Sequence, residues 1–539
     1  MQRSLFFPAV PFRTAARWFD PRPAIVRPHL PLRALALAAL ALTAAPLAYL
    51  GVRAVGAGAD GLAYLLDGRT LGVVWNSVAL TAAVVLTATL IGVPFAWLTT
   101  RTDLPLRRFW LVAGLLPLVV PSYIGALTFI WMFGPRGLLA GWLAPLGVES
   151  LPPLYGFTGA WLAISLFTYP YVVLPVRAAL LNLDPALEES AHSLGLSRWA
   201  VFWRVTLPQL RPALAAGGLL AALYTLSDFG AVALMRYNAF TRVIYSQYTG
   251  SLDRSRAALL AIMLVVLTIG VLILARRAAA AGRGYRAGVG AQRLGRPARL
   301  GRWRLPALLF CGLLVGVGVV VPVGVLASWT RLETGAALDW TAPLLNSLGA
   351  SGATALAAAL AALPLAWLAA RSGAALDRRL FQASFLGNGL PGVVVALALV
   401  FITANALPGL YQTLPVLVLG YATRFLPLSV GATHSALSQI NPRLEEAGRG
   451  LGLRPWQVMA RITAPLARAG ILGGAALVFL NAMKELPTTL LLAPTGYTTL
   501  ATRIWTAQHE VNFAQVGAPA LLLVAASALS LALILKQDR

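Results

Sequence analysis

The sequence predicts an all-α, polytopic membrane protein of about twelve transmembrane helices, arranged as two parallel six-helix repeats. Three observations carry this reading: apolar runs of bilayer length follow one another along the chain, basic residues are confined to the segments between them, and the second half of the chain repeats the first. Of 539 residues, 58% are hydrophobic and 11% charged, against roughly 25% charged residues in a soluble domain. A mean hydropathy of +0.75 over the whole length calls for lipid as the solvent of the apolar surface.

Crossing a bilayer takes about 20 apolar residues in a helix. Twelve runs qualify, centred near Leu42, Val85, Val120, Phe167, Leu223, Val265, Val317, Leu356, Val394, Leu417, Leu480 and Leu523. They are continuously apolar rather than alternating, which selects helices over a barrel. The first run follows a polar stretch too long for the basic region of a usual signal peptide, so an uncleaved first span is expected.

The basic segments then set the orientation. The N-terminal tail carries Arg3, Arg13, Arg17, Arg22, Arg27 and Arg33 against Asp20, and the stretch Arg276 to Arg304 holds nine arginines and no acid. With the short loops around Arg101 and Arg371, these fall on one side if the N-terminus is cytoplasmic, and the C-terminus then lies there too. The loop from Arg236 to Arg256 is basic on the other side, an exception. The expected division is a basic cytoplasmic tail (1–33), a first six-helix half (34–275), a basic cytoplasmic linker (276–304) and a second half (305–539). This placement explains the formal net charge of +25 as membrane topology and argues against a nucleic-acid partner.

The repeat is explicit. NSVALTAAVVLTATLIGVPFAWLTTR from Asn76 recurs as NSLGASGATALAAALAALPLAWLAAR from Asn346, an offset of 270; Asp184 to Arg211 recurs as Asn441 to Arg468, an offset of 257. The change of offset marks an indel. Halves of equal orientation relate by a pseudo-two-fold axis along the membrane normal.

Between the fourth and fifth spans, and the tenth and eleventh, run EESAHSLGLSRWAVFWRVTLPQL from Glu188 and EEAGRGLGLRPWQVMARITAPLA from Glu445. Each reads as a short helix, a turn at Gly195 or Gly452, and a second helix broken by Pro208 or Pro465 before the next span. Such a pair on the cytoplasmic face suits a groove on a soluble partner. The pattern resembles the EAA loop of membrane subunits of binding-protein-dependent ABC importers, Glu-Ala-Ala followed by a glycine and then Ile-x-Leu-Pro. Glu189, Ala191, Gly195, Leu207 and Pro208 match it, with Val205 at the Ile position; Glu446, Ala447, Gly452, Ile462 and Pro465 match it in the second half. Ser190, Gly448 and Ala464 depart from it. The fused arrangement, with SDFGAVALMRYNAFTRVIYSQY from Ser227 and MKELPTTLLLAPTGYTTLATRIW from Met483, is similar to ferric-iron importer permeases. The resemblance implies a type I ABC importer fold and a translocation-pore subunit. It also implies two copies of an ABC ATPase subunit docked at the EAA loops, where Glu188 and Glu445 stand beside the matched residues. A periplasmic binding protein would deliver the cargo, and the chain would sit in the bacterial inner membrane. Thiamine, polyamine or phosphonate permeases are alternatives within the class; a twelve-helix secondary transporter is the alternative outside it.

No P-loop is present. Neither Lys484 nor Lys536, the two lysines, has a glycine-rich approach, so ATP is expected on partner subunits and no cofactor on this chain. His29, His192, His434 and His509 form no ligand pair at helical spacing, and no metal site or catalytic constellation is expected. Cys311 reads as a small apolar residue, and the Gly312–Gly316 spacing as close helix packing.

Ionisable residues inside spans are costly and usually functional. Asp228 in the fifth span and Glu485 in the eleventh are separated by the same offset of 257. As pore candidates they would face each other across the pseudo-two-fold axis and favour a cation or steady a gate. Otherwise each caps a helix break or pairs locally, Glu485 with Lys484. Arg424, without a charged counterpart in the first half, either neutralises Glu485 or snorkels to an interface.

Overall fold

The computed structural model describes residues 30–56, 58–250, 254–280, 297–331 and 340–537. Among these there is no β-strand, only an isolated bridge between Thr102 and Ala298. Ten helices are long and apolar enough to cross a membrane, and Gly392–Ala406 and Ala514–Ala528 are shorter apolar helices. Together they account for the twelve expected runs. Leu35, Leu86, Leu90, Val266, Leu309 and Leu356 are exposed on the outer faces of the spans, as lipid-facing side chains are. Most of the expected tail and linker lies outside the described residues. The helix Arg254–Ala280 runs past Arg276, and the linker's far end is stitched to the loop after the second span by Ala298 N–H to the Arg101 carbonyl (2.8 Å) and Leu300 N–H to Asp103 (2.8 Å).

Two expectations need correction. Val120, expected at the centre of the third span, lies at a break. Arg107–Leu115 ends in a 3-10 turn, Leu116–Leu118, and a new helix starts at Ser122. Pro117 and Pro121 lack the N–H groups a continuous helix would use there. Conversely, Pro208 and Pro465 do not break the second loop helix. Arg198–Val201, a π turn at Phe202–Thr206 and Leu207–Ser227 form one continuous helical run, repeated in the second half at Pro455–Val458, Met459–Thr463 and Ala464–Met483. The widened turn absorbs the proline: Leu207 N–H reaches the Phe202 carbonyl, and Ala464 N–H that of Met459, the i→i+5 bonding of a π-bulge.

The repeat is also visible as contacts. The Asn76 amide donates to the Asn238 carbonyl (3.2 Å), the Tyr237 hydroxyl to the Asn76 carbonyl (3.0 Å), and Phe240 N–H to the Ser77 hydroxyl (3.0 Å). In the second half the Asn346 amide donates to the Thr498 carbonyl (2.9 Å), Tyr497 to the Asn346 carbonyl (2.8 Å) and Leu500 N–H to Ser347 (2.8 Å). The repeated Asn-Ser pair thus fastens the second span of each half to the loop after its fifth. The indel falls between Phe133 and Phe157, where the first half carries an extra short helix, Leu138–Leu143, and a 3-10 turn, Ala144–Leu146.

The outer helices are exchanged between the halves. Leu30–Val55 packs on the second half's Thr341–Arg371, Gly392–Ala406 and Leu414–Gln439; Val321–Thr330 packs on Ser122–Phe133 of the first. Ala36 and Leu50 belong to one apolar core with Leu365, Val394 and Leu417, while Leu314, Leu326 and Trp329 join Phe95, Ile124 and Phe167 in the other. The Gly312–Gly316 spacing does not serve close packing: a methyl on Gly312 would find only the Trp110 ring at 3.9 Å, and one on Gly316 open space. The close approaches are elsewhere, as at Gly217, whose side-chain position lies 2.8 Å from the Val172 Cα.

Candidate functional site: paired loop helices and a charged centre

Each EAA-like loop is built the same way. Asp184 caps Pro185–Ser193 by accepting from Ala186 N–H (3.0 Å), and Asn441 caps Pro442–Gly450 by accepting from Arg443 N–H (3.1 Å). Proline at the first position supplies a preset φ where the N–H is not needed. Both helices close with Gly195 and Gly452 at φ +84°, and Leu196 N–H and Leu453 N–H fold back to the Ala191 and Gly448 carbonyls, a Schellman close that favours glycine. No atom lies near a side chain built on either glycine, and Leu194 (83% exposed) and Leu451 (85%) project beside them. Glu189, Glu446 and Ala447 are exposed too.

The acid before each motif faces inward. Glu445 (2% exposed) is paired with Arg371 at 3.0 Å, and Arg371 also holds the Ile440 carbonyl. Glu188 (29% exposed) accepts from the Thr206 hydroxyl (2.8 Å) and stands 3.9 Å from Arg101. Arg101 and Arg371 end the repeated second spans. Their recurrence at an offset of 270 was the available signal for this role, but spacing alone does not reveal the pairing. The departure at Gly448 also has a reason. An alanine methyl there would come within 2.5 Å of Ile462 Cδ1; at the equivalent positions the first half has Ala191 and the smaller Val205.

Asp228, Glu485, Lys484 and Arg424 come together where the halves meet: Arg424 pairs with Glu485 and acts electrostatically on Asp228 and Lys484, and Lys484 reaches the first half. The fifth span ends at Ser227, and Asp228 accepts from the Ser122 hydroxyl and from Ala231 N–H (2.9 Å) and Val232 N–H (3.4 Å). The eleventh span ends at Met483, and Glu485 is ion-paired with Arg424 and accepts from the Thr488 hydroxyl (2.6 Å) and N–H (3.3 Å). Both carboxylates are buried. Each therefore caps the short helix that follows its span, Gly230–Leu234 or Pro487–Leu492. Glu485 pairs with Arg424 rather than with Lys484; Lys484 Nζ instead crosses to the Leu118 carbonyl of the first half (3.1 Å). Gly392 leaves room for this pair, since a methyl there would overlap Glu485, Arg424 and Thr488. Ser122, Thr488 and Gly392 carry no charge and escaped the sequence reading. Among the described residues no three His, Cys, Asp or Glu side chains are grouped to hold a metal ion. His192 and His509 contact the backbone carbonyls of their own segments, His434 lies on Phe381, and His29 is outside the described residues.

Two segments, residues 88–281 and 362–536, match the family described as binding-protein-dependent transport system inner membrane component. The chain is 32% identical over 470 residues to an Fe(3+)-transport system permease protein of Haemophilus influenzae, covering 86% of this chain and 89% of that protein. It is 25% identical over 438 residues to a ferric transport system permease protein of Actinobacillus pleuropneumoniae, covering 77% and 64%. It is also 35% identical over 147 residues to a sulfate transport system permease protein of Escherichia coli, covering 27% and 52%. With two matched units on one polypeptide, the spans in parallel repeat and the matched loop helices in each, the chain belongs to the inner-membrane components of binding-protein-dependent transport systems, as a fused two-half permease.

Proposed function

We propose that this chain is the translocation-pore subunit of an ATP-driven importer that receives ferric iron from a periplasmic binding protein. The single observation that carries the coupling is the pair of matched loop helices. Each projects an exposed leucine beside a left-handed glycine, at equivalent places in the two halves. One ATPase copy would dock at each, two in all, with ATP bound by them and not by this chain. The basic tail, the 276–304 linker and the C-terminus would share their side, the cytoplasm of a bacterial cell. Closure of the ATPases on ATP would draw the loop helices together and open the halves outward, by alternating access. Iron as cargo rests on the ferric permease that is similar over most of both chains.

The test is the double variant Gly195→Val/Gly452→Val in the assembled transporter. A β-branched residue at φ +84° is strained, so the docking turns change shape while the spans are untouched. Basal ATP hydrolysis and membrane abundance should persist, while uptake and its stimulation by the binding protein fall about tenfold, the loss of some 1.4 kcal/mol of coupling. Normal uptake by the double variant removes the docking role. The cargo is read separately, from the ligand that the cognate binding protein retains.

A further inference from the structure

The charged centre is unevenly satisfied, and the imbalance bears on what passes through it. Arg424 and Glu485 neutralise each other, and Thr488 takes up a further lone pair of the carboxylate. Asp228 is held by a hydroxyl and two backbone N–H groups. Each acid already accepts three hydrogen bonds, which leaves about one of its four lone-pair sites. Lys484 differs: it is half-buried, its hydrogen bond among the described residues goes to one backbone carbonyl across the boundary between the halves, and an ammonium has three donors. Its counterpart in the first half is Ser227, one position before Asp228 as Lys484 is before Glu485. Lys484 is within electrostatic reach of both Arg424, which repels it, and Glu485, which attracts it. The two carboxylates and two cations sum to zero charge, so what distinguishes the groups is spare hydrogen-bonding capacity: each carboxylate has about one site left, whereas the ammonium uses one of its three donors. An oxyanion would meet spare ammonium donors, which form charge-assisted hydrogen bonds with it.

We infer that Lys484 is the contact for an oxyanion group of the cargo, so that iron crosses with anionic ligands attached or the cargo is an oxyanion itself. The inference rests on the permease reading and narrows its substrate. Movement of the halves breaks the 3.1 Å bond to the Leu118 carbonyl and presents the ammonium to the opening path.

Proteoliposomes holding the complete transporter with its binding protein test this. The probes are labelled ferric iron with labelled phosphate, labelled ferric iron with labelled citrate, and labelled sulfate alone. Wild-type protein should take up iron and anion in a fixed ratio, which identifies the complexed source, or sulfate without iron, which identifies the free one. Lys484→Met should lower that uptake about tenfold, the loss of one charge-assisted contact, with unchanged membrane abundance. Lys484→Arg should retain uptake. If Lys484 only latches the halves, Lys484→Met instead raises ATP hydrolysis in the absence of binding protein, and the inference fails. Iron entering without either anion, or full uptake by Lys484→Met, also overturns it while leaving the permease reading intact. A wild-type chain that assembles with no ATPase removes the permease reading and the inference together.

Discussion

Arg371 and Arg101 occupy the same place in the two halves and do different amounts of work. The Arg371–Glu445 pair is 3% and 2% exposed, so removing the guanidinium leaves a buried carboxylate without its countercharge. Arg371→Met should cost about 3–5 kcal/mol. Arg101→Met, which removes a 3.9 Å contact to an acid that Thr206 already satisfies and that is 29% exposed, should cost about 0–1 kcal/mol. Thermal unfolding of the solubilised protein should separate the two, and equal losses would show that the halves are not differently fastened. At the centre, Asp228→Asn and Glu485→Gln test whether the carboxylates serve transport or hold structure. Each caps a helix, so abundance should fall in both. Glu485→Gln also leaves Arg424 unpaired, and so should be the more severe. Uptake per membrane-resident molecule measures any role in transport, and unchanged values in both variants would remove the two acids from the path.

The loop helix pair shows how elements trade volume. Gly448 stands against Ile462, and the equivalent positions of the first half are Ala191 and Val205, with the extra methyl on the other member of the pair. Gly448→Ala alone should overpack and cost about 1–3 kcal/mol. Adding Ile462→Val should recover most of it, a non-additivity that a double-mutant cycle reads directly. The first span is tied by a different device. Arg33 donates through Nε (3.0 Å) and Nη2 (2.9 Å) to Asp377, whose side chain is fully enclosed, and Ser372 donates to the same carboxylate. Burial alone would raise the Asp377 carboxyl; the hydrogen bonds from Arg33 and Ser372 and the Arg33 charge outweigh it and hold it below its ordinary 3.8. A depressed carboxyl stabilises the fold above its unfolded value and loses that contribution as pH falls through its folded value. The tie should therefore be constant from pH 7 to about pH 5 and weaken only below about pH 4. Hydrogen exchange in Leu30–Val55 across that range measures it, and loosening already near pH 6 would assign the tie to another group.

Across the whole molecule, the halves are held by exchange of helices as well as by side chains. The first span lies on the second half, and the seventh on the first, so the pieces of a chain cut in the linker should remain associated. Reporter fusions at the N-terminus, in the 276–304 linker and at the C-terminus should all report the cytoplasm. A periplasmic linker would overturn the orientation while leaving the helix count and the repeat in place.

The sequence by itself determined the spans, the duplication, the two loop motifs and the equivalence of Asp228 with Glu485, because each is written in one-dimensional signals: apolar length, recurrence at a fixed offset, glycine and proline punctuation. Only the tertiary structure decided the rest. Which cation neutralises Glu485 depends on where the tenth span lies beside the eleventh, and Lys484, although adjacent in sequence, points across to the other half. The clasps at Asn76 and Asn346 close onto loops whose own offset, Tyr237 to Tyr497, differs from that of the spans, so no single repeat distance predicts them. The exchange of outer helices leaves no mark in composition, because a lipid-facing helix is equally apolar whichever half it covers. The helix continues through the prolines that read as breaks, Pro208 and Pro465, because a π turn just before each widens it by one residue and keeps its hydrogen bonds.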